Sequence, residues 1–393
     1  MSGARLAILE LRSVRGTGGG PEKTILLGTE QTDRTRFAVT VCYLRDLRDP
    51  IFGIDERARR MNIDYVEVQE RHSFDPRIWT PLSTLVRERR IDIVHSHDYK
   101  TDLLGWLLAR RLGVIPLSTA HGWTGQSARE RYVYYPAGKR LLARFPRVIA
   151  VSSDIRRELV RHGQREHRVT VILNGIDPDA FKRDVFRRGG IRQALGLAPD
   201  DVVIGAVGRL ERQKRFDVLL EAFMPLARAR PNLRLVIVGD GSLKSELAAK
   251  AGSLGLGKSC LLLGHRLDVA DLHNAFDLFV QASEYEGTPN AALEAMAMST
   301  PIVATDVGGT AELAAHEVHG LLVAPHDVPG LTAAMNRALG DPTGARTRAA
   351  AARFRVEHEL SFHARTRHLE RVYEDLARER DEVKAMRGIP HHA

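Results

Sequence analysis

The chain is poor in cysteine. Among its 393 residues only Cys42 and Cys260 are cysteines, and each sits inside an apolar, strand-like run. Two isolated thiols exclude a disulfide framework and a thiolate zinc site, and they fit a reducing cytoplasm. Long apolar runs are missing too: none approaches the ~18 residues of a membrane span. The opening stretch, residues 1–13, is short and is broken by Glu10 and Arg12. It reads as a first β-strand rather than a signal peptide. Aromatic residues make up 6%, and no recognised nucleic-acid-binding module is present, so nucleic acid is not the expected partner. Internal repeats and low-complexity tracts are absent as well.

What remains is a globular composition, 44% hydrophobic and 27% charged. The length suits two or three domains, each with its own core. The net charge of +9 is uneven. Residues 1–180 hold 30 Lys and Arg against 22 Asp and Glu, whereas residues 181–393 hold 28 against 27. A basic first half suits an anionic partner such as a phosphate ester or a membrane surface, and charge alone does not choose between them.

Short apolar runs alternate with stretches of helical spacing. Strands are expected at Arg5–Leu11, Phe37–Leu44, Tyr65–Val68, Ile91–His95, Pro116–Ala120, Val148–Val151 and Val169–Leu173. After a polar link the alternation restarts at Val202–Val207, Leu233–Val238, Cys260–Leu263, Leu278–Gln281, Pro301–Ala304 and Gly320–Val323. Continuous apolar strands separated by helices predict an α/β fold with two doubly wound parallel sheets. The division is expected near residues 176–190, giving domains 1–180 and 181–360. A last charged amphipathic helix is expected over roughly Ser361–Lys384, within a third segment 361–393. Ligands of such sheets bind beyond the strand C-termini, so a cleft between the domains is the expected site.

Four motifs lie at those strand ends. Gly16-Thr17-Gly18-Gly19-Gly20-Pro21-Glu22 follows the first strand, and a helix start behind a glycine-rich turn suits phosphate. It has neither P-loop nor dinucleotide-fingerprint spacing, which disfavours a nicotinamide-dependent dehydrogenase. Gly208-Arg209-Leu210-Glu211-Arg212-Gln213-Lys214 follows the first strand of the second half, and Arg209 and Lys214 can converge on a diphosphate. Residues 284–294 carry Glu286 and, eight positions later, Glu294, with Asn290 as the N-cap of a helix over 291–298. Two carboxylates so spaced can bracket a polyhydroxylated ligand. The fourth motif joins His95-Ser96-His97-Asp98 to Thr119-Ala120-His121-Gly122-Trp123. A metal held by His95, His97 and His121 is conceivable, but no carboxylate partner is evident in the sequence, so no metal site is expected. His95 reads as a buried core histidine, and His121 as a histidine that hydrogen-bonds an acceptor or a phosphate.

In this order the motifs resemble the GT-B glycosyltransferases, specifically the large retaining, metal-independent family 4 group that uses nucleotide sugars. The resemblance rests on Gly19-Gly20-Pro21-Glu22, Thr119-Ala120-His121, Val151-Ser152-Ser153-Asp154, Asn174-Gly175-Ile176-Asp177, Gly208–Lys214, Glu286 with Glu294, Asp306-Val307-Gly308-Gly309 and Glu312-Leu313. Pro21 is a mild departure. The resemblance implies that Arg209 and Lys214 hold the donor diphosphate, Glu286 contacts the transferred sugar and Glu294 the ribose. Gly19 and Gly20 would lie against the phosphates, with His121 near the reacting sugar and acceptor. Donor contacts would also come from Gly208, Gly287, Thr288 and Asn290, and base recognition from the chain around Gly239, Gly241, His265 and Arg266. No cofactor is implied, and the last helix would return to the first domain. UDP is favoured as the donor base, and a nucleotide-sugar epimerase on the same fold is the main alternative.

Residues 129–168 hold 11 Lys and Arg against four Asp and Glu, together with Tyr132, Tyr134, Tyr135, Leu141, Leu142 and Phe145. Two readings stand side by side. Either these residues form core-packed helices with solvated charges, or they form a surface for anionic membrane. In both, Pro136 and Gly138 are expected to split the segment into two short helices. The membrane reading would make the protein cytoplasmic and peripheral on the inner membrane face, acting on a lipid-linked acceptor in envelope or polysaccharide assembly.

Overall fold

The structure, a computed structural model, describes residues 5–14, 16, 18–72, 75–123 and 130–386. The chain divides into two units, residues 1–174 with 362–393, and residues 175–361. The linker region 176–190 therefore belongs wholly to the second unit.

The first unit holds seven strands: β1 (Leu6–Ser13), β2 (Phe37–Asp46), β3 (Tyr65–Glu70), β4 (Ile93–Ser96), β5 (Ile115–Ala120), β6 (Arg147–Ala150) and β7 (Val169–Val171). Their order is β3-β2-β1-β4-β5-β6-β7, and every pairing is parallel. The second unit holds β8 (Val202–Val207), β9 (Leu233–Val238), β10 (Cys260–Leu262), β11 (Leu278–Gln281), β12 (Ile302–Thr305) and β13 (Leu321–Val323), in the order β10-β9-β8-β11-β12-β13. These pairings are parallel as well. In each sheet the order reverses beside the unit's first strand, so the switch points lie between β1 and β4 and between β8 and β11.

Strand residues alternate between two covered faces. On one face of the first sheet, Leu9, Leu11 and Val94 pack on Ile78, Leu82 and Leu85. On the other, Ile8, Ile93, Leu117 and Ile149 pack on Leu369, Val372, Tyr373 and Leu376 of the last helix, Phe362–Met386. Spacings of three, one and three put those four side chains in one stripe. Burying each stabilises the docked helix by about 1.5–3 kcal/mol. This helix supplies a face of the first core from the far end of the chain.

The basic segment is built differently from its expectation. Residues Glu130–Tyr134 make one π-helical turn that runs into the helix Tyr135–Leu142, and Pro136 and Gly138 lie inside that helix instead of splitting it. Pro136 is tolerated in the first turn, where its missing amide would have no helical partner. Leu142 and Phe145 are core residues, whereas Tyr132 and Val133 are exposed.

Candidate active site

In the second unit the motif loops meet at the β8/β11 switch point. Gly208 continues β8, its amide donating to the Val238 carbonyl at 3.0 Å. A short 3₁₀ turn, Arg212–Lys214, then docks on the loop after β11. There the Glu284 amide donates to the Gln213 carbonyl at 2.8 Å, and the Gln213 side chain donates to the Tyr285 carbonyl at 2.8 Å. This brings Lys214 Nζ to 2.5 Å from Glu286 Oε1, which also accepts from Ser283 Oγ at 2.6 Å. Lys214 and Glu286, given separate duties on sequence grounds, are paired with each other here. Arg209 is exposed.

Glycines allow the close approaches. A Cβ on Gly239 would lie 1.9 Å from the Gly208 carbonyl oxygen, and Gly239 has φ +146°. A Cβ on Gly309 would lie 1.4 Å from the Gly287 carbonyl oxygen. Only glycine lets these loops touch backbone to backbone. Gly241 follows in a loop held to the 208–210 turn by hydrogen bonds from the Leu210 amide to the Asp240 carbonyl and from the Leu243 amide to the Leu210 carbonyl, each 2.9 Å. The Gly264 carbonyl accepts from the Gly239 amide at 2.9 Å. Beyond it His265 is exposed, and Arg266 pairs with Asp268 at 2.8 Å.

The helix after β11 spans Asn290–Ala297, and Pro289, with extended backbone, holds the N-cap position. Asn290 is thus the first helical residue rather than the cap. Thr288 is buried just before it, and Glu294, half-buried, lies 3.8 Å from His273 Nε2. The Gly309 amide donates to the Glu286 carbonyl at 3.1 Å. Lys214, Glu286 and the start of this helix form one assembly of cation, carboxylate and helix N-terminus.

The first unit gathers its motifs at the β1/β4 switch point. Gly19 precedes the helix Gly20–Glu30 and donates its amide to Glu22 Oε2 at 2.5 Å. Glu22 is buried and pairs with Arg12 at the end of β1. Arg12 Nη1 donates in turn to the His97 carbonyl at 2.8 Å. The glycine loop is therefore braced by an ion pair of its own.

Sequence reasoning missed Glu10. It read Glu10 as a break in an apolar strand and saw no carboxylate near the histidines. In the sheet register Glu10 is the direct neighbour of His95. Glu10 Oε1 lies 3.1 Å from His95 Nδ1 and 2.7 Å from the Tyr373 hydroxyl, and Oε2 bonds His97 Nε2. His95 Nε2 is 2.7 Å from Thr119 Oγ1, and His97 Nδ1 is 3.1 Å from His121 Nε2. A charged residue inside the first buried strand, with His-x-His on another strand, was the only sequence signal. Among the described residues Glu10, His95 and His97 are the one group with a metal-ligand composition. These atoms hydrogen-bond one another and the Tyr373 hydroxyl, which links the group as a proton network.

Burial opposes the charge of Glu10, but the fields and hydrogen bonds of His95 and His97 outweigh it and hold the carboxyl well below its usual range. Burial, followed by the His95 charge, pulls His97 down to about 4. Burial, with His97 and Arg12 nearby, also holds His121 well below the ordinary imidazole value. At neutral pH His97 and His121 stand as neutral imidazoles beside the Glu10 carboxylate.

Two doubly wound parallel units with polar clusters at their switch points define an α/β protein of the GT-B kind. Family models agree: residues 18–180 match glycosyltransferase family 4, and residues 188–355 match glycosyl transferases group 1. The chain is 30% identical over 274 residues to the UDP-Gal:alpha-D-GlcNAc-diphosphoundecaprenol alpha-1,3-galactosyltransferase of Escherichia coli, covering 66% of this chain and 69% of that protein. It is 32% identical over 216 residues to the lipopolysaccharide core mannosyltransferase LpsB of Rhizobium meliloti, covering 53% and 61%. Anabaena HepE, solved in complex with UDP, superposes with a TM-score of 0.81 at 23% identity over 94% of this chain and 100% of that one, a likeness of fold. The chain belongs to the family 4 glycosyltransferases with the GT-B fold.

Proposed function

We propose that this glycosyltransferase moves a sugar with retention of configuration from a nucleoside diphosphate sugar, with UDP favoured, to a lipid-linked or envelope-polysaccharide precursor, and that it needs no metal. The observation that carries this reading is the Lys214–Glu286 pair beside the helix Asn290–Ala297. An ammonium has three donor hydrogens. Glu286 takes one and fixes the side chain, and the others remain for phosphate oxygens. Negative charge grows on the diphosphate as the glycosidic bond breaks. A lysine and a helix N-terminus can stabilise that charge in place of a divalent cation. Arg209, exposed at the same loop, adds a planar fork for the phosphates.

The remaining roles follow the motifs. Glu286 faces the transferred sugar, Glu294 the ribose hydroxyls, and His121 the reacting sugar and acceptor. The lipid-linked acceptor and the UDP donor draw support from the Escherichia coli relative, a UDP-Gal:alpha-D-GlcNAc-diphosphoundecaprenol galactosyltransferase. The protein would act at the cytoplasmic membrane face, with the exposed Tyr132 and Val133 and the basic helix Tyr135–Leu142 as its contact. No helix among the described residues is long and apolar enough to cross a membrane.

The test is release of nucleoside diphosphate from UDP-, GDP- and ADP-sugars after exhaustive EDTA treatment, with and without a lipid-diphosphate sugar acceptor. Acceptor-dependent release that survives EDTA is the expected result. Abolition by EDTA with rescue by Mn²⁺ or Mg²⁺ overturns the metal-independent mechanism, and acceptor-independent turnover of the sugar would point to epimerisation.

A further inference from the structure

Glu10 and His97, which stand behind His121, have no part in the reading above, and the hydrogen-bond stoichiometry of the three is decisive. Glu10 is buried, with 5% of its surface exposed, and three groups lie within hydrogen-bond reach of its two oxygens: the Tyr373 hydroxyl, His95 Nδ1 and His97 Nε2. An ionised carboxylate only accepts. His97 Nε2 must therefore carry its proton. A neutral imidazole has one N–H and one lone pair, so His97 Nδ1 is an acceptor. The only ring contact of His97 Nδ1 among the described residues is His121 Nε2, at 3.1 Å. His121 must then donate from Nε2, and its lone pair is left on Nδ1.

His95 closes the network. Its Nδ1 lies 2.9 Å from the Tyr373 oxygen as well as against Glu10, and its Nε2 lies 2.7 Å from Thr119 Oγ1. The low value of His97, set first by its burial, agrees with this count, and so do the surrounding cations. Arg12 and Arg365 both raise the cost of charging His121. His121 itself is half-buried at the end of β5, whereas Glu10, His95 and His97 are buried.

We propose that Glu10 and His97 are positioning residues that lock His121 in its Nε2–H tautomer, so that its Nδ1 lone pair is presented to a hydroxyl of a bound sugar. This rests on the glycosyltransferase reading for its consequence, but not for the tautomer itself. The logic is that of a buried carboxylate orienting a working histidine, with a second histidine inserted as the link. Tyr373 and Thr119 hold the carboxylate and His95 from the sides. The last helix, which carries Tyr373, thereby supports the site from the opposite end of the sequence.

The tautomer is read directly in the intact protein by ¹⁵N NMR of its histidine rings, with no substrate present. Near neutral pH the expected result is a protonated Nε2 and an unprotonated Nδ1 at His121, with mixed tautomers in Glu10→Gln and in His97→Gln. A protonated Nδ1 in the wild type, or an unchanged His121 pattern in both variants, overturns the proposal. Two independent variants keep the test open if one fails to fold. The second arm measures turnover with a donor and acceptor that the wild type uses. The expected loss in kcat is about tenfold to a hundredfold in each variant, with the thermal shift produced by the nucleoside diphosphate unchanged. A loss of nucleotide binding in parallel with kcat, or no loss of kcat, overturns the positioning role. If no nucleotide sugar is turned over by the wild type, the glycosyltransferase reading fails, and the NMR arm still decides the relay.

Discussion

The two units share a topology and differ in what they bury at the same place. Each switch point holds a carboxylate with less than a tenth of its surface exposed, Glu10 in the first and Glu286 in the second. Glu10 is surrounded by two imidazoles and a phenol, all hydrogen-bonded within the unit. Glu286 is met by a serine and by a lysine whose own side chain is partly open. The first arrangement uses the carboxylate to fix proton positions. The second uses it to hold a cation that keeps spare donors. The fold decides where polar side chains gather, and the partner of each carboxylate decides whether the result is a closed hydrogen-bond network or a held cation with spare donors.

The strongest way to break this comparison is at the lysine. Lys214→Ala should lower turnover by about 10²–10³, as expected for lost charge stabilisation in the transition state. Glu294→Ala should mainly weaken nucleotide binding. Steady-state kinetics with a nucleotide titration checks both, and equal small effects would remove the second unit's claim to the diphosphate.

Another buried carboxyl of the first unit, Asp102, sharpens the contrast. Ser96 Oγ lies 2.6 Å from Asp102 Oδ1 and 3.1 Å from the Leu117 carbonyl. One hydroxyl hydrogen cannot serve both, so Asp102 supplies a proton when Ser96 donates to Leu117. Burial pushes the Asp102 carboxyl up to about 7. The folded-state value lies above the unfolded one, so the stabilisation is complete below the unfolded value and is lost as pH rises through about 7. Between about pH 5 and pH 7 the first unit should lose ~2–3 kcal/mol from this group. Denaturant titrations should show that loss, and Asp102→Asn should flatten it.

Smaller effects should follow from the second unit's loop contacts. Gly239→Ala should destabilise it by about 1–3 kcal/mol through a clash with backbone that cannot yield. Gly252→Ala, in the helix Lys244–Ser253 with no heavy atom near its new Cβ, should instead stabilise slightly, by about 0.4–1 kcal/mol. Thermal melts compare the two. The weakest effect is expected at the basic helix. Arg140→Glu with Arg144→Glu should reduce sedimentation with anionic vesicles at low salt, by about 1 kcal/mol per cation. Lys139 is a poorer choice, because it pairs with Glu158 at 2.6 Å and lies over the Trp123 ring. Wild-type protein that stays in the supernatant removes the membrane contact.

Much of the architecture was legible from local pattern. The strands Val202–Val207, Leu233–Val238 and Leu278–Gln281 have the bounds expected from sequence, because central parallel strands are buried on both faces and read as unbroken apolar runs. The Gly208–Lys214 and Glu284–Glu294 segments were also visible, since their residues lie within a few positions of each other. The helix Tyr135–Leu142 was misread because a proline near a helix start looks, in sequence, like a proline that ends one.

The sequence by itself determined the strand–helix alternation, the glycine turns and the polar residues at strand ends, since each depends on neighbours along the chain. Only the tertiary structure decided that Glu10 faces His95, that His97 bridges to His121, and that Tyr373 closes the group. Those partners are 85, 24 and 278 or more positions apart along the chain, and no local periodicity encodes a register between strands. The same holds for Lys214 and Glu286, 72 positions apart. A parallel sheet brings the ends of strands together that the sequence keeps apart, and the chemistry of this protein is made at those meetings.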